Sequence, residues 1–111
     1  MKQPASITGN QVSAQAESYL SGLEQEIRAE QAASLGRIGR LLEAKIAALE
    51  TAREKLATYR GPDRPALVEK CLALHQEAER YFWYMQVQRE CMGIYHHDAL
   101  RQYYPIPRPL P

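Results

Sequence analysis

No stretch of about 18 consecutive apolar residues occurs in the chain, and a helix needs roughly that length to cross a bilayer. The opening residues Met1 to Asn10 also lack the apolar segment of a secretion signal, so the expected compartment is the cytoplasm. Charge of one sign is missing too: 14 Lys and Arg stand against 13 Asp and Glu, a formal net charge of +1. Nucleic-acid binders usually carry a basic surplus, which leaves only Arg28, Arg37 and Arg40 to argue for such a partner. Cysteine is scarce. Cys71 and Cys91 are 20 residues apart, about 30 Å if one helix carries both, while a disulfide needs Cα atoms within about 7 Å. Both are expected to behave as small buried apolar groups. The Walker loop, dinucleotide fingerprint, nucleophile elbow, HExxH and CxxCH motifs are all absent. Nothing therefore argues specifically for an enzyme, and no cofactor is expected.

Proline is absent between Pro4 and Pro62. Within that gap apolar residues recur at Ala16, Leu20, Leu23, Ile27, Leu35, Ile38, Leu42, Ile46, Leu49, Ala52 and Leu56, interrupted by polar Gln31. Steps of three and four are the helical period, and the intervening Glu, Gln, Ala, Lys and Arg are good helix formers. The start is signalled by Thr8 and Gln11 at capping-box spacing, with Ile7 and Val12 in the staple positions and Asn10 and Ser13 as rival caps. Gly61 and Pro62 stop the helix near Tyr59, with Arg60 at its negative end. A helix of that span is about 70 Å long, and such lengths suggest a coiled-coil-like partner.

Asp63 is the expected cap of a second helix, with Pro65 in its first turn. Its stripe reads Leu67, Cys71, Leu74, Ala78, Tyr81, Met85, Gln88 and Met92, a heptad seam. Gly93 suits the left-handed position past its end. A short third helix is expected over Asp98–Tyr103, followed by a tail in which proline alternates with Ile106, Arg108 and Leu110 and which reads as polyproline II. Its prolines are two apart, not the three of PxxP ligands; packing on the chain, disorder and docking to a partner all stay open. Residues 1–8 thus read as a disordered N-terminus, 9–104 as a helical hairpin domain and 105–111 as a proline-rich tail. The fold class is all-α: a long antiparallel hairpin plus a short C-terminal helix.

A turn at Gly61 makes the two helices antiparallel, and facing positions then sum to about 123. Leu56 meets Leu67, Leu49 meets Leu74, Ile46 meets Ala78, Leu42 meets Tyr81 or Phe82, and Ile38 meets Met85. Gly36 and Gly39 fall opposite Met85 to Arg89, where a missing side chain admits a bulky neighbour at a helix-propensity cost of about 1 kcal/mol. Near them an ion-pair network of Glu30, Arg37 and Arg40 with Gln88, Arg89 and Glu90 is expected to set register. The first helix outruns the second, leaving Tyr19, Leu20, Leu23 and Ile27 to be covered by the C-terminal segment or by another subunit. Tyr81, Phe82, Trp83 and Tyr84 fan over about 300°, so one neighbour cannot cover them all. A homodimer forming a four-helix assembly satisfies both demands, with Tyr19, Leu20, Leu23, Ile27, Trp83 and Tyr84 as its interface.

Metal ligation has two weak candidates. Cys71 and His75 share a helical face, and His96 and His97 precede Asp98 in a loop, but a structural zinc site needs four ligands. The residues Leu23-Glu24, Glu26-Ile27, Glu30, Ala32 to Leu41, Val87-Gln88-Arg89-Glu90, Gly93 and Tyr104 to Pro107 resemble a small bacterial all-helical family of unknown function, over about 23–107. That resemblance implies a helical hairpin and supplies no activity. The reading is a non-enzymatic structural or protein-interaction homodimer, with an unidentified protein as a further partner. The alternative is a metal- or small-ligand-binding helical bundle.

Overall fold

The computed structural model describes residues 9–111, and side chains from Val12 onward. The expectations about disorder over 1–8, the Thr8 capping box and the Ile7 staple lie outside the described residues. Three helices follow in order: α1, Gly9–Thr58; α2, Arg64–Cys91; and α3, Leu100–Tyr103. Among the described residues no helix is long and apolar enough to cross a membrane. The third helix is a single turn, shorter than its expected span from Asp98.

α1 runs unbroken through Gly36 and Gly39 for 50 residues, about 75 Å. Its last carbonyls, orphaned by the end of the helix, are taken up by two arginines. Arg64 Nη1 donates to the carbonyls of Leu56 at 2.6 Å and Tyr59 at 2.7 Å. Arg60 donates to those of Ala57 and Tyr59. At the turn the Tyr59 ring lies over Gly61, where a Cβ would displace it.

α2 follows Asp63, whose side chain makes no capping hydrogen bond, with proline in the first turn. Its far end is a complete Schellman closure. Gly93 takes φ +84°; its N–H donates to Glu90 O at 2.9 Å, and the Ile94 N–H donates to Arg89 O at 2.9 Å.

The seam between α1 and α2 has the expected register and is built as two clusters. Leu49, Ala52, Leu56 and Cys71 are buried together, flanked by Leu67, Val68 and Leu74. Leu42, Ile46, Ala78, Phe82 and Met85 form the second with Leu100, flanked by Leu35, Ile38, Tyr81, Tyr104 and Ile106. One position is corrected: Phe82, not Tyr81, is the buried aromatic, and Tyr81 is half-buried. Leu100 and Arg101 come down on the Phe82 side, the arginine carbon lying 3.8 Å from the ring centroid. This pulls the buried stripe one residue around the helix. The expected burial of both cysteines is borne out for Cys71 and corrected for Cys91, an exposed residue at the end of α2.

The C-terminal tail is ordered against the hairpin. Tyr104 reaches Gly39, Ile106 touches both clusters, and Pro111 lies beside Glu50, Arg53, Glu54 and Ala57. From Tyr104 to Pro111 an extended chain climbs about 22 Å at ~3.1 Å per residue. From Gly39 to Arg53 the helix rises about 21 Å at ~1.5 Å per residue. The tail therefore tracks α1 toward the Gly61 turn and away from the overhang. The molecule is a thin rod of 93 × 27 × 14 Å with a radius of gyration of 24.3 Å, against about 13 Å for a compact chain of this length.

The two glycines differ in use. A Cβ on Gly39 would sit 2.7 Å from Tyr104 Oη and 3.4 Å from Met85 Cε, whereas one on Gly36 would meet only Arg40 Nη1 at 3.4 Å. Gly36→Ala is expected to stabilise by up to about 1 kcal/mol from helix propensity. Gly39→Ala is expected to lose that gain by displacing Tyr104. Urea denaturation of both variants checks the contrast.

Candidate interaction surface

α2 accompanies α1 only from about residue 32 onward, so the first half of α1 stands alone. On it Val12, Tyr19, Leu20, Leu23 and Ile27 are all exposed, Tyr19 at 70% and Leu20 at 53%. In the chain this stripe precedes the seam that α2 covers further along. Water against five large apolar side chains on one face is the mark of an interaction site.

The hairpin carries a second incomplete surface. The tail fills the groove on one side of the α1–α2 seam. On the other side a trough of 460 Å³ stays open, lined by Ala47, Ala48, Thr51, Ala52 and Lys55 of α1 with Leu67, Lys70 and Leu74 of α2. Its α1 wall is made almost entirely of small side chains. Leu41, 46% exposed, lies between this trough and the overhang.

Of the aromatic run, Phe82 is buried while Trp83, at 58%, and Tyr84 are exposed next to exposed Val87. Tyr84 packs edge-on against Tyr81 at 5.8 Å and tilted against Trp83 at 5.6 Å. The expectation that one neighbour leaves part of this run uncovered holds.

The network expected between the helices is not the one formed. Among the described residues Glu30, Arg37 and Arg40 form no ion pair with Gln88, Arg89 or Glu90. Arg89 turns instead to the loop after α2, donating through Nε to His97 Nδ1 at 3.2 Å and through Nη2 to His96 O at 2.9 Å. Glu90 Oε1 lies 3.2 Å from His97 Nε2. Arginine can only donate, so Nδ1 is the acceptor and Nε2 carries the proton toward Glu90. The physical reason is proximity: Gly93 reverses the chain and brings the loop back onto the last turn of α2. Arg101 forms the matching clamp for α3, a two-pronged pair with Glu79 at 3.1 Å on each prong.

These contacts also place the metal candidates. Both ring nitrogens of His97 are engaged. Cys71 is fully buried in the seam, and His75 Nε2 faces Glu79 at 3.9 Å. No three His, Cys, Asp or Glu side chains gather into a metal-binding group among the described residues. Near the hairpin's open end lies a cleft of 430 Å³ lined by Leu35, Gly36, Met85, Arg89, Ala99, Leu100, Tyr103 and Tyr104. Pattern reading missed Arg64, Arg101 and the His97 clamp. Their partners are 5 to 22 residues away across turns, beyond any periodic signal.

No family model, curated protein or solved structure matches the chain.

Two side chains hold protons more tightly in this structure. Lys45 is raised because Glu77 accepts its hydrogen bond at 2.7 Å, and Tyr104 is raised because burial disfavours its phenolate. A raised folded value stabilises fully below the unfolded value, near 10 for both groups, and is lost as pH climbs through the folded one. Denaturation series should therefore give a stability that declines above about pH 10, with a shallower alkaline slope in Tyr104→Phe. Separately, His97→Ala is expected to speed amide exchange over residues 94–99 at least tenfold and to leave the α1–α2 seam protected.

Proposed function

We propose that the protein is a non-enzymatic helical interaction protein that works as a homodimer in the cytoplasm, with the overhanging half of α1 as its dimerisation element. The observation that carries this reading is the exposed stripe Val12, Tyr19, Leu20, Leu23 and Ile27. Covering those side chains on two copies removes on the order of 1,000 Å² from water, the least that a specific interface buries. Full burial of a large aliphatic side chain contributes about 1.5–3 kcal/mol, and these side chains, 40–70% exposed, each contribute roughly half of that against the entropic cost of association.

Shape favours a second copy over an unrelated partner: the overhang is apolar, and further along the same helix an open trough is lined by Ala47, Ala48, Thr51 and Ala52. The 430 Å³ cleft favours a second reading, small-ligand binding, since its size falls in the range of ligand pockets. Arg89, its one charged lining residue, is already bonded to the 96–97 loop.

Sedimentation at tens of micromolar is expected to give a dimer, and Leu20→Glu is expected to weaken it on the order of a thousandfold, because both copies lose an apolar contact and bury a charge. The variant's helix content should hold, since α2 does not reach Leu20. A wild-type monomer at that concentration refutes the proposal.

A further inference from the structure

We infer that two copies pair along the whole of α1, antiparallel, about a two-fold axis at Ser34, so that each overhang lies in the open trough of the partner's hairpin. This rests on the dimer reading above and adds where the overhang docks.

Length points there first. α1 spans Gly9–Thr58, and Ser34 is its midpoint, so an axis at Ser34 leaves neither end of either α1 unmatched. Facing positions then sum to about 68. Residues 12–31, which α2 never reaches, fall on the partner's residues 37–56, the stretch that carries the trough.

Helical phase agrees. Leu20, Ile27, Ser34, Leu41 and Ala48 are spaced by sevens and share one face of α1. Leu20, Ile27 and Leu41 on that face are each about half exposed, and Ala48 lines the trough. The overhang stripe and the open side of the hairpin are thus one continuous surface.

The facing side chains agree at two layers. At a sum of 68 the bulky Leu20 meets the partner subunit's Ala48, a small residue, the alternation that lets two helices interdigitate, and Ile27 meets the partner subunit's Leu41. Each contact occurs twice by symmetry. Charge does not decide the register: Glu26 comes within two residues of the partner subunit's Arg40, and Arg28 falls directly opposite it. A competing arrangement, in which the overhangs pair only with each other about an axis near Gly22, leaves Leu41 and the trough in water.

Cysteine cross-linking tests this on the full chain in a Cys91→Ser background, Cys91 being exposed and Cys71 buried. Ser34→Cys is expected to oxidise to a covalent dimer in more than half of the chains. Leu20→Cys is expected not to link to itself, because its two copies sit about 42 Å apart along the paired helices. Mixing Leu20→Cys with Ala48→Cys chains is expected to give linked heterodimers. Self-linking of Leu20→Cys with none at Ser34→Cys, or no linking at any of these sites in a protein that sediments as a dimer, overturns the register and leaves the dimer standing. A monomer overturns both. Small-angle scattering of the unmodified protein reads the same point without substitutions. Full overlap keeps the dimer close to the 93 Å of one protomer, whereas pairing of the overhangs alone stretches it beyond about 110 Å and refutes the inference.

Discussion

A helix of 28 residues shields about 42 Å of a neighbour, and α1 is 50 residues and about 75 Å long. That mismatch governs the rest of the molecule. Where α2 is present, leucine, isoleucine, alanine and Phe82 bury one another and set the register. Where it is absent, the same periodic stripe faces water. A further segment, α3 and the tail, follows α2 but does not make up the difference. They run the other way. Gly93 and the 94–99 loop turn the chain back on the hairpin, Leu100 and Ile106 find the existing core, and the tail continues toward Gly61.

Arginine fastens each of these reversals. Arg64 closes the α1–α2 turn on the last carbonyls of α1, Arg89 ties the 96–97 loop to α2, and Arg101 joins α3 to Glu79 while lying over Phe82. In each case the planar, multi-donor guanidinium satisfies two acceptors in a fixed fork, and at Arg101 it also covers a ring face, a geometry that a lysine ammonium does not offer. The Arg89 clamp also explains why the 430 Å³ cleft beside it is modestly polar: its one charged group is turned to the loop and not into the space. These clamps sit at the surface, where each adds little by itself. Their effect is to choose one path for 20 residues that contain a single helical turn.

The surface left over is unusually one-sided for so small a protein. With the tail in one groove of the hairpin, exposed apolar and small side chains run along α1 from Val12 through Leu41 to Ala52 on the other. On that exposed face bulky residues lie in the first half of α1 and small ones line the trough in the second.

Much of the architecture was legible from periodicity alone. Steps of three and four mark both helices, Gly61-Pro62 forces the reversal, and fixing the turn fixes which residues meet along the seam, because both helices advance at the same rise. Gly93 was legible for the same local reason. The choice of Phe82 over Tyr81 was not, since both lie within one helical step of the seam and the decision came from α3 arriving on one side. Nor were the partners of Arg89 and Glu90, which spacing along α1 and α2 assigned to each other and the loop reversal took away. The sequence by itself therefore determined the helices, their pairing and the exposed overhang, all of which follow from local geometry repeated along a rod. Only the tertiary structure decided which groove the tail occupies and which stays open, because that depends on side-chain contacts between segments that no period connects.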